Sequence, residues 1–141
     1  MKRAKWMLPV TLLLLSGLMA AQSFTSSTVK ANVPFDFMVN NRIIPAGKCV
    51  VTAVSSDGQT LSIHNVDVRK SVMSASATDE MRRVADSTVL VFTRYGSQYF
   101  LSSIQLEGSN RSYKLPESKA EAELRAQNVP ASQTVLLASL K

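Results

Sequence analysis

From Val29 to Val39 hydrophobic side chains fall on every second position: Val29, Ala31, Val33, Phe35, Phe37 and Val39 alternate with Lys30, Asn32, Pro34, Asp36, Met38 and Asn40. A two-residue period is what a strand with one buried face produces, so one extended ribbon is expected to point Phe35 and Phe37 inward together. Pro34 cannot donate to a ladder, which confines it to a sheet edge or a bulge. Asn40-Asn41 predicts a two-residue hairpin, because asparagine tolerates the positive φ of such turns. Arg42 to Ile44 starts the return strand, Pro45-Ala46-Gly47 bends it, and Lys48 to Val54 continues it until the turn Ser55-Ser56-Asp57-Gly58.

Gln59 to Asn65 alternates again, with Leu61 and Ile63 on one face and Thr60, Ser62 and His64 on the wet one. Val66 to Ala77 reads as a further strand, and Thr78 to Asp86, rich in charge, as a loop. Thr88 to Arg94 is apolar on both faces and belongs in the centre of a sheet. A turn at Tyr95-Gly96-Ser97 leads into Gln98 to Leu106, and a second at Glu107 to Asn110 leads into the short strand RSYKL.

A helix is expected over 116–127. Proline suits its first turn, Glu117 complements the dipole, and Asn128 followed by Pro130 ends it. Lys119 with Glu123 and Glu121 with Arg125 are spaced to pair, at about 0.3 kcal/mol each. Its apolar stripe, Ala120 and Leu124, is too thin for a core of its own, so the helix must lie on the sheet or across one end. Gln133 to Leu140 returns as a strand. The fold class is therefore mainly β: a small antiparallel β barrel, or a two-layer sandwich, with one short C-terminal helix. Closure into a barrel is preferred because it removes exposed edges.

Composition adds a compartment. Lys2, Arg3 and Lys5 precede an apolar run and then small residues, the pattern of a secretory signal peptide over residues 1–23, cleaved between Ala20 and Ser23. The run is shorter than the roughly 20 residues that span a bilayer. Residues 24–28 form a disordered lead-in, and 29–141 a single β-rich domain. The protein is thus expected to be exported, periplasmic or extracellular, with no membrane span after cleavage. Three of the 16 basic residues and none of the 10 acidic ones lie in the leader, so 13 face 10 in the mature chain, a net charge of +3. The remaining basic pairs sit among acids, and nucleic acid is not an expected partner.

Catalytic chemistry has little to work with. The lone cysteine and lone histidine, Cys49 and His64, fall on opposite strand faces, and Cys49 reads as a small core hydrophobe. No spacing suits zinc or calcium, and no phosphate loop is present, so neither metal nor cofactor is expected. Glu117, Glu121 and Glu123 have basic neighbours and read as a solvated helix face. Asn110-Arg111-Ser112 matches a glycosylation sequon that a polar hairpin also produces. The binding candidates are Arg94, Tyr95, Tyr99 and Tyr113, since tyrosines around a hairpin end can line a mouth while Phe92 and Phe100 fill the core.

The segments VPFDF (Val33 to Phe37), IPAGKCVV (Ile44 to Val51), LVFTRYGSQYFLSSI (Leu90 to Ile104) and KLPESKAEAEL (Lys114 to Leu124) resemble a family of small, exported, uncharacterised bacterial proteins. The likeness spans most of the mature chain. It implies fold and export, and it transfers no catalytic residue. Cys49 stands where that pattern favours tyrosine, and Thr93 where histidine is frequent, whereas Arg94, Tyr95, Gly96, Tyr99 and Phe100 match. The expected function is a non-enzymatic envelope or secreted module that binds or scaffolds an envelope protein or glycan. The alternatives are a carrier of a small apolar ligand, which an interior filled by Phe35, Phe37, Val91 and Phe100 would exclude, and a hydrolase with carboxylates assembled by the fold.

Overall fold

The structure, a computed structural model, describes residues 28–140, so the expected leader, its cleavage site and the lead-in up to Ser27 lie outside the described residues. Thr28, expected in the lead-in, instead opens the first strand opposite Thr52. That strand, β1 (Thr28–Val33), keeps the alternation: Val29, Ala31 and Val33 are buried.

The single ribbon through Phe37 is not formed. The chain bends at residues 34–36, where Pro34 offers no N–H and the Asp36 carboxylate accepts the Ala46 amide at 2.8 Å. It resumes as β2 (Phe37–Val39), which joins the other sheet. Phe37 is fully buried, while Phe35 is left half-buried at the end of the molecule.

The Asn40-Asn41 hairpin forms with φ of 50° and 61° and returns as β3 (Arg42–Ile44). β4 (Gly47–Ala53), β5 (Thr60–Asn65) and β6 (Lys70–Ala75) follow as an antiparallel meander beside β1. The strand expected over 66–77 starts late, because Asn65 ties down a turn through the Asp67 and Val68 amides and Arg69 takes a φ of 53°. The loop expected at 78–86 begins instead as β7 (Ala77–Glu80), held by full-length pairing with β10 (Arg111–Lys114) and by a Lys114–Asp79 ion pair at 2.6 Å. Cross-strand pairing overrides local polarity there.

β8 (Val89–Tyr95) and β9 (Gln98–Gln105) form the central hairpin, flanked by β11 (Ala131–Leu137). Their register shifts after Val91, so Val91 faces Ser103 while Phe92 faces Leu101. The extra residue, Ser102, lets both Leu101 and Ile104 turn inward. The helix α1 (Lys119–Ala126) is shorter than expected: Ser118 caps it by accepting the Glu121 amide at 3.2 Å, leaving Pro116 and Glu117 ahead of it. Arg125 pairs with Glu117 at 3.2 Å rather than with Glu121.

The strands make a two-layer sandwich, and the preferred barrel closure is not formed. One sheet runs β12 (Ser139–Leu140), β1, β4, β5, β6. The other runs β11, β8, β9, β10, β7, with β2 and β3 attached beside β9. The chain bends from β6 into β7 at Ser76 and from β11 into β12 at Ala138, whose amides donate to Gln59 and Thr88 carbonyls. These two corners bring the sheets together without a continuous ladder between them. The core is filled by Val33, Cys49, Val51 and Ile63 from one layer against Phe37, Ile44, Leu90, Phe92 and Ile104 from the other. Val91 and Phe100, expected inside, lie on the outer face of the second sheet, since the period of two places them opposite Phe92 and Leu101.

Candidate functional site

Arg94 and Tyr99 face each other across the β8–β9 hairpin, whose turn is made possible by Gly96 at φ 62°. The Arg94 guanidinium carbon lies 5.4 Å from the Tyr99 ring centre, and its Nε donates to the Gly96 carbonyl at 2.6 Å. Phe35 stacks on Tyr99 with centroids 3.7 Å apart and planes 13° from parallel. Its edge also meets Phe92 at 5.0 Å, which anchors the stack in the core. Aromatic stacking and a cation over a ring each add about 1 kcal/mol of preference for this arrangement. Phe35 was absent from the residues picked by sequence. Its signal was its position beside Pro34, where a bend detaches it from the buried row.

The four candidates do not converge. Tyr95 is buried on the outer face against Phe100, with ring centres 5.7 Å apart, and beneath α1. Burial, followed by the charges of Glu121 and Glu117, raises the phenol above its ordinary range. Glu121 is raised in turn, chiefly by burial and then by Glu117. Glu117 and Glu121 are thus gathered around Tyr95, where they fasten the helix to the sheet. Tyr113 stands at the opposite end of the sandwich, between Thr78 and Ile104 in the ladder and so close over Gly58 that a side chain there would collide with its ring.

Cys49 and His64 occupy adjacent strands but opposite faces, since Cys49 pairs with Asn65 and His64 with Val50. Burial, reinforced by Asp67, pushes the Cys49 thiol up to about 11, which keeps it protonated and unreactive at neutral pH. In the sequon, the Asn110 amide donates to Glu80 at 3.2 Å and Ser112 is buried.

A recess of about 380 Å³ opens on the outer face of the second sheet beside Val89, Val91, Gln105 and Val135, with the Asp79–Lys114 ion pair at its rim. Among the described residues no three histidine, cysteine or acidic side chains gather as metal ligands, and no helix is long and apolar enough to cross a membrane. No family model, curated protein or solved structure matches the chain.

Proposed function

We propose that the protein is an exported, non-catalytic binding domain that engages an envelope protein or glycan through the Phe35–Tyr99–Arg94 end of the sandwich. The observation that carries this reading is the convergence of two distant segments, the β1–β2 bend and the β8–β9 hairpin, on one half-exposed ring stack flanked by a cation. The stack is held rigid by Phe92 beneath it, so little ordering is needed on binding. Among the described residues Arg94 makes no ion pair. A carboxylate on a protein side chain or an acidic sugar would match it, with an apolar ring or sugar face lying on the aromatics. Side chains pack the interior between the sheets, which favours this external surface over an internal ligand.

The test is affinity capture from the native envelope, together with acidic and neutral glycan panels, using the leader-free protein beside Arg94→Ala and Tyr99→Ala variants. Truncating a binding hot spot costs about 2 kcal/mol, so each variant is expected to lose roughly 30-fold in affinity while keeping its circular dichroism. Equal recovery of every partner by wild type and variants would remove this end as the contact surface.

A further inference from the structure

Among the described residues β11 runs along one margin of its sheet and is hydrogen-bonded to β8 on one side alone. A margin strand presents a row of backbone donors and acceptors to any other strand, and folded proteins blunt such rows with charge, proline, brevity or a covering side chain. The other margins of this sandwich carry these devices. β7 holds Asp79 and Glu80. β6 begins at Lys70, and its Met73 carbonyl accepts the Asn40 side-chain amide at 3.4 Å. β3 and β12 are only 3 and 2 residues long. β11 has none of them: its 7 residues, ASQTVLL, contain neither charge nor proline, and β1 approaches without pairing.

The side chains point the same way. Val135 and Leu137, 56% and 75% exposed, stand on the outer face opposite Val91 and Val89. The apolar row therefore runs out to the margin of the sheet and is cut off there, where one further strand would cover it.

We propose that β11 is a self-association edge, at which two copies of this chain pair β11 with β11, antiparallel across a two-fold axis, to make one continuous sheet. Charge and symmetry select a second copy. The strand is neutral, so self-pairing sets no like charges opposite each other, and an identical antiparallel strand matches its length, places Gln133 opposite Val135, and brings the Val135 side chains of the two copies together on the diagonal across the two-fold axis. Centred on Thr134, the match aligns all seven residues and keeps Gln133, Val135 and Leu137 on the outer face of both copies. An interface built on one strand pair is small, and its dissociation constant belongs in the micromolar range, roughly.

Sedimentation velocity on the leader-free chain, which retains every described residue, tests this over a concentration series. A reversible monomer–dimer equilibrium is expected. Val135→Lys, at an exposed position where folding tolerates it, should weaken the dimer about tenfold or more by adding a cation to each copy at the seam. Val84→Lys, at a loop position 57% exposed, should leave it unchanged. Amide exchange within β11 should slow as concentration rises in the wild type and not in Val135→Lys. A chain that stays monomeric at every concentration, a dimer indifferent to Val135→Lys, or open-ended polymers would overturn the proposal. So would a monomer that accepts only unrelated extended peptides along β11.

Discussion

Asn65 has no exposed surface, yet every polar atom of its side chain is used. Its amide donates to the Pro45 carbonyl at 2.7 Å, and its oxygen accepts the Asp67 and Val68 amides at 2.9 and 3.2 Å. It thereby clamps the β3–β4 bend to the β5–β6 turn, beside Gly47, whose φ of 144° and lack of a side chain let Asp67 reach the Lys48 amide. Asn65→Ala removes the partner of the Pro45 and Ala46 carbonyls and of two amides at a part-buried site and should lower stability by about 1 to 3 kcal/mol, read as a fall in the urea midpoint at unchanged slope. A shift no larger than that of an ordinary surface substitution would show the clamp to be idle. Its parity with Leu61 and Ile63 was visible in the sequence, but its Pro45 partner, 20 residues upstream, was not.

At the scale of elements, α1 shows how a weak helix is kept in place. It has no fully buried residue and depends on the Ser118 cap, the Arg125–Glu117 pair and the Glu121 carboxylate against Tyr95. Because Glu121 is held above its ordinary value of 4.5, the folded state binds its proton more tightly than the unfolded chain does. Stability is therefore unaffected by this group below that ordinary value and declines as pH rises through the window between the ordinary and the raised value. Glu121→Gln cannot titrate, so its stability relative to wild type should increase from about pH 4 to about pH 7 in urea unfolding. A difference that stays flat across that range would mean that the carboxyl is not perturbed. The helix stop was legible, since Asn128 takes a φ of 56° and closes the last turn. The start was not, because Pro116 and Ser118 both suit a first turn and only the cap bond separates them.

For the whole molecule, Cys49 reports on whether the two layers stay together. The lone thiol is packed in the core and pushed up to about 11 by burial and Asp67. In native buffer at neutral pH it should react with a thiol reagent only as fast as the sandwich opens, and its labelling in rising urea should follow global unfolding. Rapid labelling of the native protein would show that the layers part locally around β1 and β4. The sequence by itself determined the features that rest on neighbours in the chain: the alternation that buries Val29, Val33, Leu61 and Ile63, the hairpins at Asn40-Asn41 and Gly96, and a mainly β chain with one late helix. Period two assigns a side chain to a face but not a strand to a sheet. Only the tertiary structure decided that Pro34 sends β2 across to the other layer, that the charged segment at Thr78 pairs as β7, and that bends at Ser76 and Ala138 yield a sandwich. The same long-range pairing, joining Phe35 to Tyr99 across 64 positions of sequence, separates Tyr95 and Tyr113 from them. Such choices turn on which distant segments bury each other best, and no local pattern encodes that.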